Sequence, residues 1–122
     1  MKKILIIDDD ENLCKLLSKL LEREGYTTES VYSGNEALEL LFKKHYDFMI
    51  VDNNLPDISG MDILQCIFKY KPTIGKIMIS AYGNDIVKSN ALRQNTLFFD
   101  KPFNNQLLIN TIKAYMSQNI NV

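Results

Sequence analysis

The 122-residue chain has almost none of the side chains that build zinc, copper or disulfide centres: two cysteines and one histidine. Such sites need clustered nitrogen and sulfur ligands at short spacing. Cys14 and Cys66 stand far apart in helix-like stretches, so they read as free thiols of a reducing cytoplasm. His45, between Lys44 and Tyr46 at a helix end, reads as a solvated residue that complements the helix dipole. Long apolar runs are missing too. Ile4-Leu5-Ile6-Ile7 follows Met1-Lys2-Lys3 and meets three aspartates, too short a run for a signal peptide or a membrane span. The expectation is a soluble cytoplasmic protein. A formal net charge of −1 gives no electrostatic footprint for nucleic acid. No glycine-rich loop follows the first apolar run, which disfavours a nucleotide- or flavin-binding module. There is no repeat, linker or low-complexity tract.

What the chain does have is alternation. Apolar runs over residues 4–7, 48–51, 76–79 and 97–99, with a more polar one over 27–31, read as strands. Between them lie helix-spaced leucines from Leu13 to Leu21 (closed by Gly25), Ala37 to Leu41, Ile63 to Phe68 (stopping before Pro72), a weaker stretch over 85–93, and Leu107 to Met116. Five strand–helix units in strict order predict an α/β fold: a doubly wound parallel sheet of the flavodoxin-like (βα)5 type. The first, third and fourth strands are almost wholly apolar, as strands covered on both faces must be, and the polar second strand suits an edge. That predicts strand order 2-1-3-4-5 and one domain over residues 1–122.

All carboxyl ends of a parallel sheet share one rim, where ligands bind. The residues that follow the apolar runs are Asp8-Asp9-Asp10, then Asp52, then Ser80, then Asp100-Lys101-Pro102. Acids are concentrated on that side of the sequence: residues 1–62 carry 13 acids and 7 bases, residues 63–122 carry 2 acids and 7 bases. The scattered bases of the second half read as a solvated surface. Two carboxylates about 4 Å apart repel by roughly 4 kcal/mol at an effective dielectric near 20. Uncompensated, that is about three pKa units. A cation relieves it, and an oxygen-only site with open positions suits Mg²⁺. A carboxylate is a nucleophile toward phosphorus, and phosphoryl transfer needs mainly positioning and charge stabilisation. Lys101, held extended by the following proline, can reach the transferred group, and the Ser80 hydroxyl can donate to it.

These segments resemble the receiver domain of bacterial two-component response regulators. Ile-Ile-Asp8-Asp9-Asp10-Glu11 resembles the family's acidic pair, and Val51-Asp52-Asn53-Asn54-Leu55-Pro56 its phosphoacceptor segment, followed by Gly60 at the third helix. Ile79-Ser80-Ala81-Tyr82-Gly83 resembles its switch segment and Lys101-Pro102-Phe103 its lysine-proline signature. The resemblance covers essentially the whole chain. It implies Asp52 as phosphoacceptor and Mg²⁺ held by Asp9 and Asp52, by the Asn54 backbone carbonyl, and by Asp8 through water. It implies Lys101 paired with the phosphoryl group, Ser80 moving toward it, and Phe98 as the aromatic that follows. The Lys101-Pro102 bond would often be cis. Implied partners are a histidine kinase or histidine phosphotransferase, with output through the fourth helix, fifth strand and fifth helix, and a monomer or weak dimer.

Departures are few. Ser80 stands where threonine is commoner, Ser59 replaces a frequent aspartate, and Asn95-Thr96 replaces Gly-Ala, with Asn tolerating a left-handed backbone. Bland roles compete: Asp9 or Asp10 as a helix N-cap, Asp52 as a turn residue. A haloacid-dehalogenase-like phosphatase fits the Asp8/Asp10 spacing, but Asn12 stands where that family has Thr or Val, and only Asp85 and Asp100 follow Ser80. The expectation is therefore a signalling module, not an enzyme: a relay or docking protein, with a receiver cut from a longer transcriptional regulator as the alternative.

Overall fold

The period of each segment fixes its structure. In the computed structural model, which describes residues 2–83 and 85–119, five strands alternate with five helices. They are β1 (Lys3–Ile7), α1 (Glu11–Arg23), β2 (Thr27–Val31), α2 (Gly34–Lys43), β3 (Phe48–Asp52), α3 (Gly60–Tyr70), β4 (Gly75–Ser80), α4 (Asp85–Arg93), β5 (Leu97–Asp100) and α5 (Asn105–Asn119). All neighbouring strands pair in parallel, in the order β2-β1-β3-β4-β5. The predicted topology is the observed one. Residues 120–122, the end of the expected domain, lie outside the described residues.

Alternate strand residues feed opposite faces of the sheet. Ile4, Ile6, Phe48, Ile50, Ile77 and Ile79 pack with Leu17 and Leu21 of α1 and Leu108 and Ile112 of α5. Leu5, Ile7, Met49, Val51 and Met78 pack with Ala37 and Leu41 of α2 and Ile63, Leu64 and Ile67 of α3. Every residue of β3 and β4 is buried, whereas in β2 only Val31 is, as its edge position requires.

Polar residues extend elements beyond what apolar periodicity reveals. α5 starts two residues before Leu107 because Asn104 caps it, its Oδ1 accepting the Leu107 N–H at 2.9 Å. Gly25 and Asn95 take left-handed backbones (φ 93° and 55°), which glycine adopts freely and asparagine tolerates. One expectation fails. Lys76 is not on the solvated surface: it is buried within β4, its ammonium donating to the Ile74 carbonyl at 3.2 Å. The strand's inward register swallowed it.

Candidate functional site

Four strand ends deliver the site. Asp8 follows β1, Asp52 closes β3, Ser80 closes β4 and Lys101 follows β5. Lys101 Nζ lies 2.9 Å from Asp8 Oδ2 and 3.1 Å from Asp52 Oδ2, so one ammonium bridges carboxylates 44 residues apart in sequence. The Lys101-Pro102 peptide is cis. Asp8 is fully buried, Asp52 nearly so, and Asp9 is exposed at the mouth. Asp10, the fourth acid to consider, takes the bland role: it N-caps α1, accepting the Leu13 N–H at 3.1 Å.

Electrostatics make this cluster costly without a cation. Burial, then the charge of Asp52, pushes the Asp8 carboxyl above the ordinary carboxylate value, against the Asp10 N–H and Lys101 that favour its ionised form. Burial pulls the Lys101 ammonium down, but the two carboxylates outweigh it and the net shift is upward. Asp8 Oδ1 accepts the Asp10 N–H at 2.9 Å. Asp8 Oδ2 has the lysine as its ion-pair partner, yet no well-aligned hydrogen bond among the described residues. One carboxylate oxygen from each of Asp8, Asp9 and Asp52 lies within 4.8 Å of the others. An under-satisfied buried oxygen within an all-oxygen cluster fits a small hard cation such as Mg²⁺. Cys14 does not compete: its thiol, donating to the Asp8 carbonyl at 3.4 Å, is pushed by burial up to about 12.

The loop after β3 is fixed by contacts the sequence did not reveal. Asn53 Oδ1 accepts the Met61 N–H at 3.0 Å, tying the loop to α3. Gly60 lets that helix approach closely, since a Cβ there would sit 2.5 Å from the Asp52 carbonyl oxygen. The Asp57 carboxylate accepts the N–H groups of Gly34 and Asn35, both at 2.8 Å, so α2 anchors the same loop from its amino end. Those hydrogen bonds hold the Asp57 carboxyl below its usual range. No local signal marks Asp57, because its partners lie 22 and 23 residues away.

Ser80 lies on the strand beside Asp52 and Phe98 on the next strand, and the hydrogen-bond partners of the Ser80 hydroxyl are Asn54 and Tyr82. Ser80 Oγ donates to Asn54 Oδ1 at 2.7 Å and accepts the Tyr82 N–H at 3.1 Å. Asn54, exposed on the rim, donates its backbone N–H to Asp52 Oδ1 at 3.0 Å. Phe98 pairs with Met78 across the β4–β5 ladder, under the Lys88 ammonium at 5.5 Å from its ring centroid. A cavity of about 610 Å³ lies at the opposite end of the sheet beside Lys2, His45 and Tyr70, away from the carboxylates. Beside the site itself a shallow groove of about 380 Å³ runs between α1 and the residues after β5, lined by Leu13, Leu16, Ala81 and Phe103.

This site on this fold is that of a phosphorylation-responsive signalling module, and comparison with known proteins agrees. The response regulator receiver domain family model matches residues 4–113, and the chain belongs to that family. It is 37% identical over 95% of its length to a transcriptional regulatory protein CpxR homolog of Haemophilus influenzae, 51% of which is covered. The chain thus spans about half the length of that relative. It is 29% identical to sporulation initiation phosphotransferase F of Bacillus subtilis, with 94% of each chain covered. Among solved structures, a CheY-like receiver domain protein from Methanospirillum hungatei JF-1 superposes with TM-score 0.94 at 28% identity, over 99% of this chain and 98% of that one. Response regulator TrrA of Thermotoga maritima, solved with Mg²⁺ and beryllium fluoride, gives 0.83 at 32% identity, over 93% and 98%. The chain is a receiver domain of two-component response regulators. No described helix is long and apolar enough to cross a membrane.

Proposed function

We propose that Asp52 accepts a phosphoryl group from the phosphohistidine of a histidine kinase or histidine phosphotransferase, with Mg²⁺ held directly by Asp9, Asp52 and the Asn54 backbone carbonyl and through water by Asp8. The observation that carries this reading is the Lys101 ammonium lying within 3.1 Å of both Asp52 and Asp8 on the sheet's carboxyl rim. When bound, the metal supplies charge neutralisation between the carboxylates and the incoming phosphoryl oxygens. An Asp52 oxygen attacks phosphorus, the P–N bond breaks, and the imidazole leaves with its electron pair. Lys101 pairs with the charge that develops on the phosphoryl oxygens, while Ser80 turns its hydroxyl toward one of them. The protein phosphorylates itself from its donor and turns over no separate substrate.

Phe98 follows Ser80 into the space that the hydroxyl vacates, which alters the α4–β5–α5 surface. That surface already presents Ile86, Leu92, Leu97 and Leu107 to solvent, apolar side chains suited to a protein partner. The donor approaches over the groove between α1 and Phe103, next to the acidic mouth. One receiver domain in the cytoplasm, monomeric or weakly dimeric and without direct nucleic-acid contact, is the unit we infer over residues 1–122.

The test is incubation with phosphoramidate and Mg²⁺. One acid-stable, base-labile phosphoryl group should appear in the wild type and be absent from a folded Asp52→Asn variant. Full labelling of that variant would assign the chemistry to another residue.

A further inference from the structure

The Ser80 hydroxyl has one proton to give, and in this structure Asn54 takes it. Ser80 is fully buried and its Oγ donates to Asn54 Oδ1 at 2.7 Å. One of its lone pairs accepts the Tyr82 N–H at 3.1 Å. A phosphoryl oxygen is an acceptor only, so it competes for that single proton and leaves the Tyr82 bond intact. Asn54 is therefore the group that must lose its partner before Ser80 can respond. The same residue also touches the reacting group, its backbone N–H donating to Asp52 Oδ1 at 3.0 Å.

We propose that the Asn54 side chain is a positioning residue, a latch that withholds the Ser80 hydroxyl from Asp52 in the unphosphorylated protein. The inference rests on Asp52 being the phosphoacceptor and Ser80 its responding hydroxyl. It gives the resting state a definite hydrogen bond to exchange. On phosphorylation Asp52 exchanges an ionised carboxylate for a neutral acyl oxygen, so the charge-assisted bond from the Asn54 N–H weakens. In the same event phosphoryl oxygens appear, more strongly accepting than an amide carbonyl, and Ser80 changes partner. Both ends of Asn54 thus favour release in one step. A latch can bias the equilibrium only by what it contributes to the resting state alone, and Asn54 sits exposed, where water competes. The bias is therefore a few-fold, enough to suppress premature switching and small enough for one phosphoryl group to overcome.

Asn54→Leu keeps the side-chain volume and removes the acceptor, whereas Asn54→Asp keeps an acceptor oxygen. Three-bond couplings at Ser80, measured by NMR on the full metal-free chain, read its rotamer directly. The expectation is one rotamer in the wild type and in Asn54→Asp, and averaging in Asn54→Leu. Titration with beryllofluoride and Mg²⁺ should then half-saturate the Asn54→Leu variant at a roughly five-fold lower concentration, the loss of about one ordinary hydrogen bond from the resting state. In a Ser80→Ala background that gain should vanish, because the effect runs through the hydroxyl. Identical Ser80 couplings in all three proteins overturn the latch, whatever beryllofluoride does. A wild type whose spectrum ignores beryllofluoride and Mg²⁺ overturns the Asp52 reading instead, and the couplings still decide whether Asn54 holds Ser80.

Discussion

Gly83 and Phe98 occupy a space that admits one side chain: a Cβ on the glycine would meet the tip of the Phe98 ring, with Cε1 only 2.9 Å away. The obstacle is the far end of a rotatable side chain, so Gly83→Ala should move the ring and spare the fold. Displacing it costs about 0.5–1.5 kcal/mol in rotamer strain. The lost chain entropy of glycine returns about 0.4–1 kcal/mol, so the melting temperature should change little. The Phe98 ring resonances of the unphosphorylated variant should nevertheless lie away from their wild-type positions. Unmoved ring resonances would mean that the loop yields instead.

Lys101 neutralises two carboxylates at once, one of them fully buried. Lys101→Ala should destabilise the metal-free protein by about 3 kcal/mol at pH 7, the lower end for breaking a buried ion pair. Mg²⁺ should restore part of that loss, because a cation in the same cluster takes over the compensation. The increase in melting temperature on adding Mg²⁺ should accordingly be larger in the variant than in the wild type. A smaller increase would show that the lysine assists metal binding and does not compete with it.

The raised pKa of Asp8 has a definite sign. Its folded value lies above the unfolded 3.8, so between the two the folded state holds more protons than the unfolded. Its contribution to stability therefore falls as pH rises through that window. Asp8→Asn removes this slope, and its stability relative to wild type in metal-free buffer should grow as pH rises from 3.8 through the Asp8 pKa. Over the same window Mg²⁺ should stabilise the wild type increasingly, since the site then offers one more negative charge, and should stabilise the variant less. Denaturant midpoints with and without Mg²⁺ across that range check both signs.

Lys76 offers a stability test away from the site. Burial holds its ammonium below the usual 10.5, so between the two values the unfolded chain binds the extra proton and stability rises with pH. Lys76→Met, of similar length and without charge, should raise the melting temperature at pH 7 and remove that alkaline gain. Phosphorylation of Asp52 should be unchanged, since Lys76 sits at the far end of β4. A fall in melting temperature would mean that its bond to the Ile74 carbonyl is worth more than the burial costs.

The order and kind of the elements, the strand order and the side chains that meet on the carboxyl rim were legible in the sequence, because each depends on local properties. Apolar runs of period two or full burial mark strands, leucines at helical spacing mark helices, and the residue after each run must sit on the rim. That logic reached Asp8, Asp52, Ser80 and Lys101 from segments that share no neighbours in sequence. It did not reach Asp57, whose helix-anchoring bonds span 22 and 23 residues, or Asn53, whose side chain ties the loop to α3. Nor did it tell Asp10 the cap from Asp9 at the carboxylate cluster, because both roles favour the same residue type. Lys76 departs from the expected solvated surface for a related reason: charge alone suggests solvent, and only the placing of β4 among its neighbours buries that side chain. Sequence thus determined which groups could do the chemistry. Tertiary structure alone decided which hydrogen bonds hold them, because a side chain's partner is set by distances between elements that no local pattern encodes.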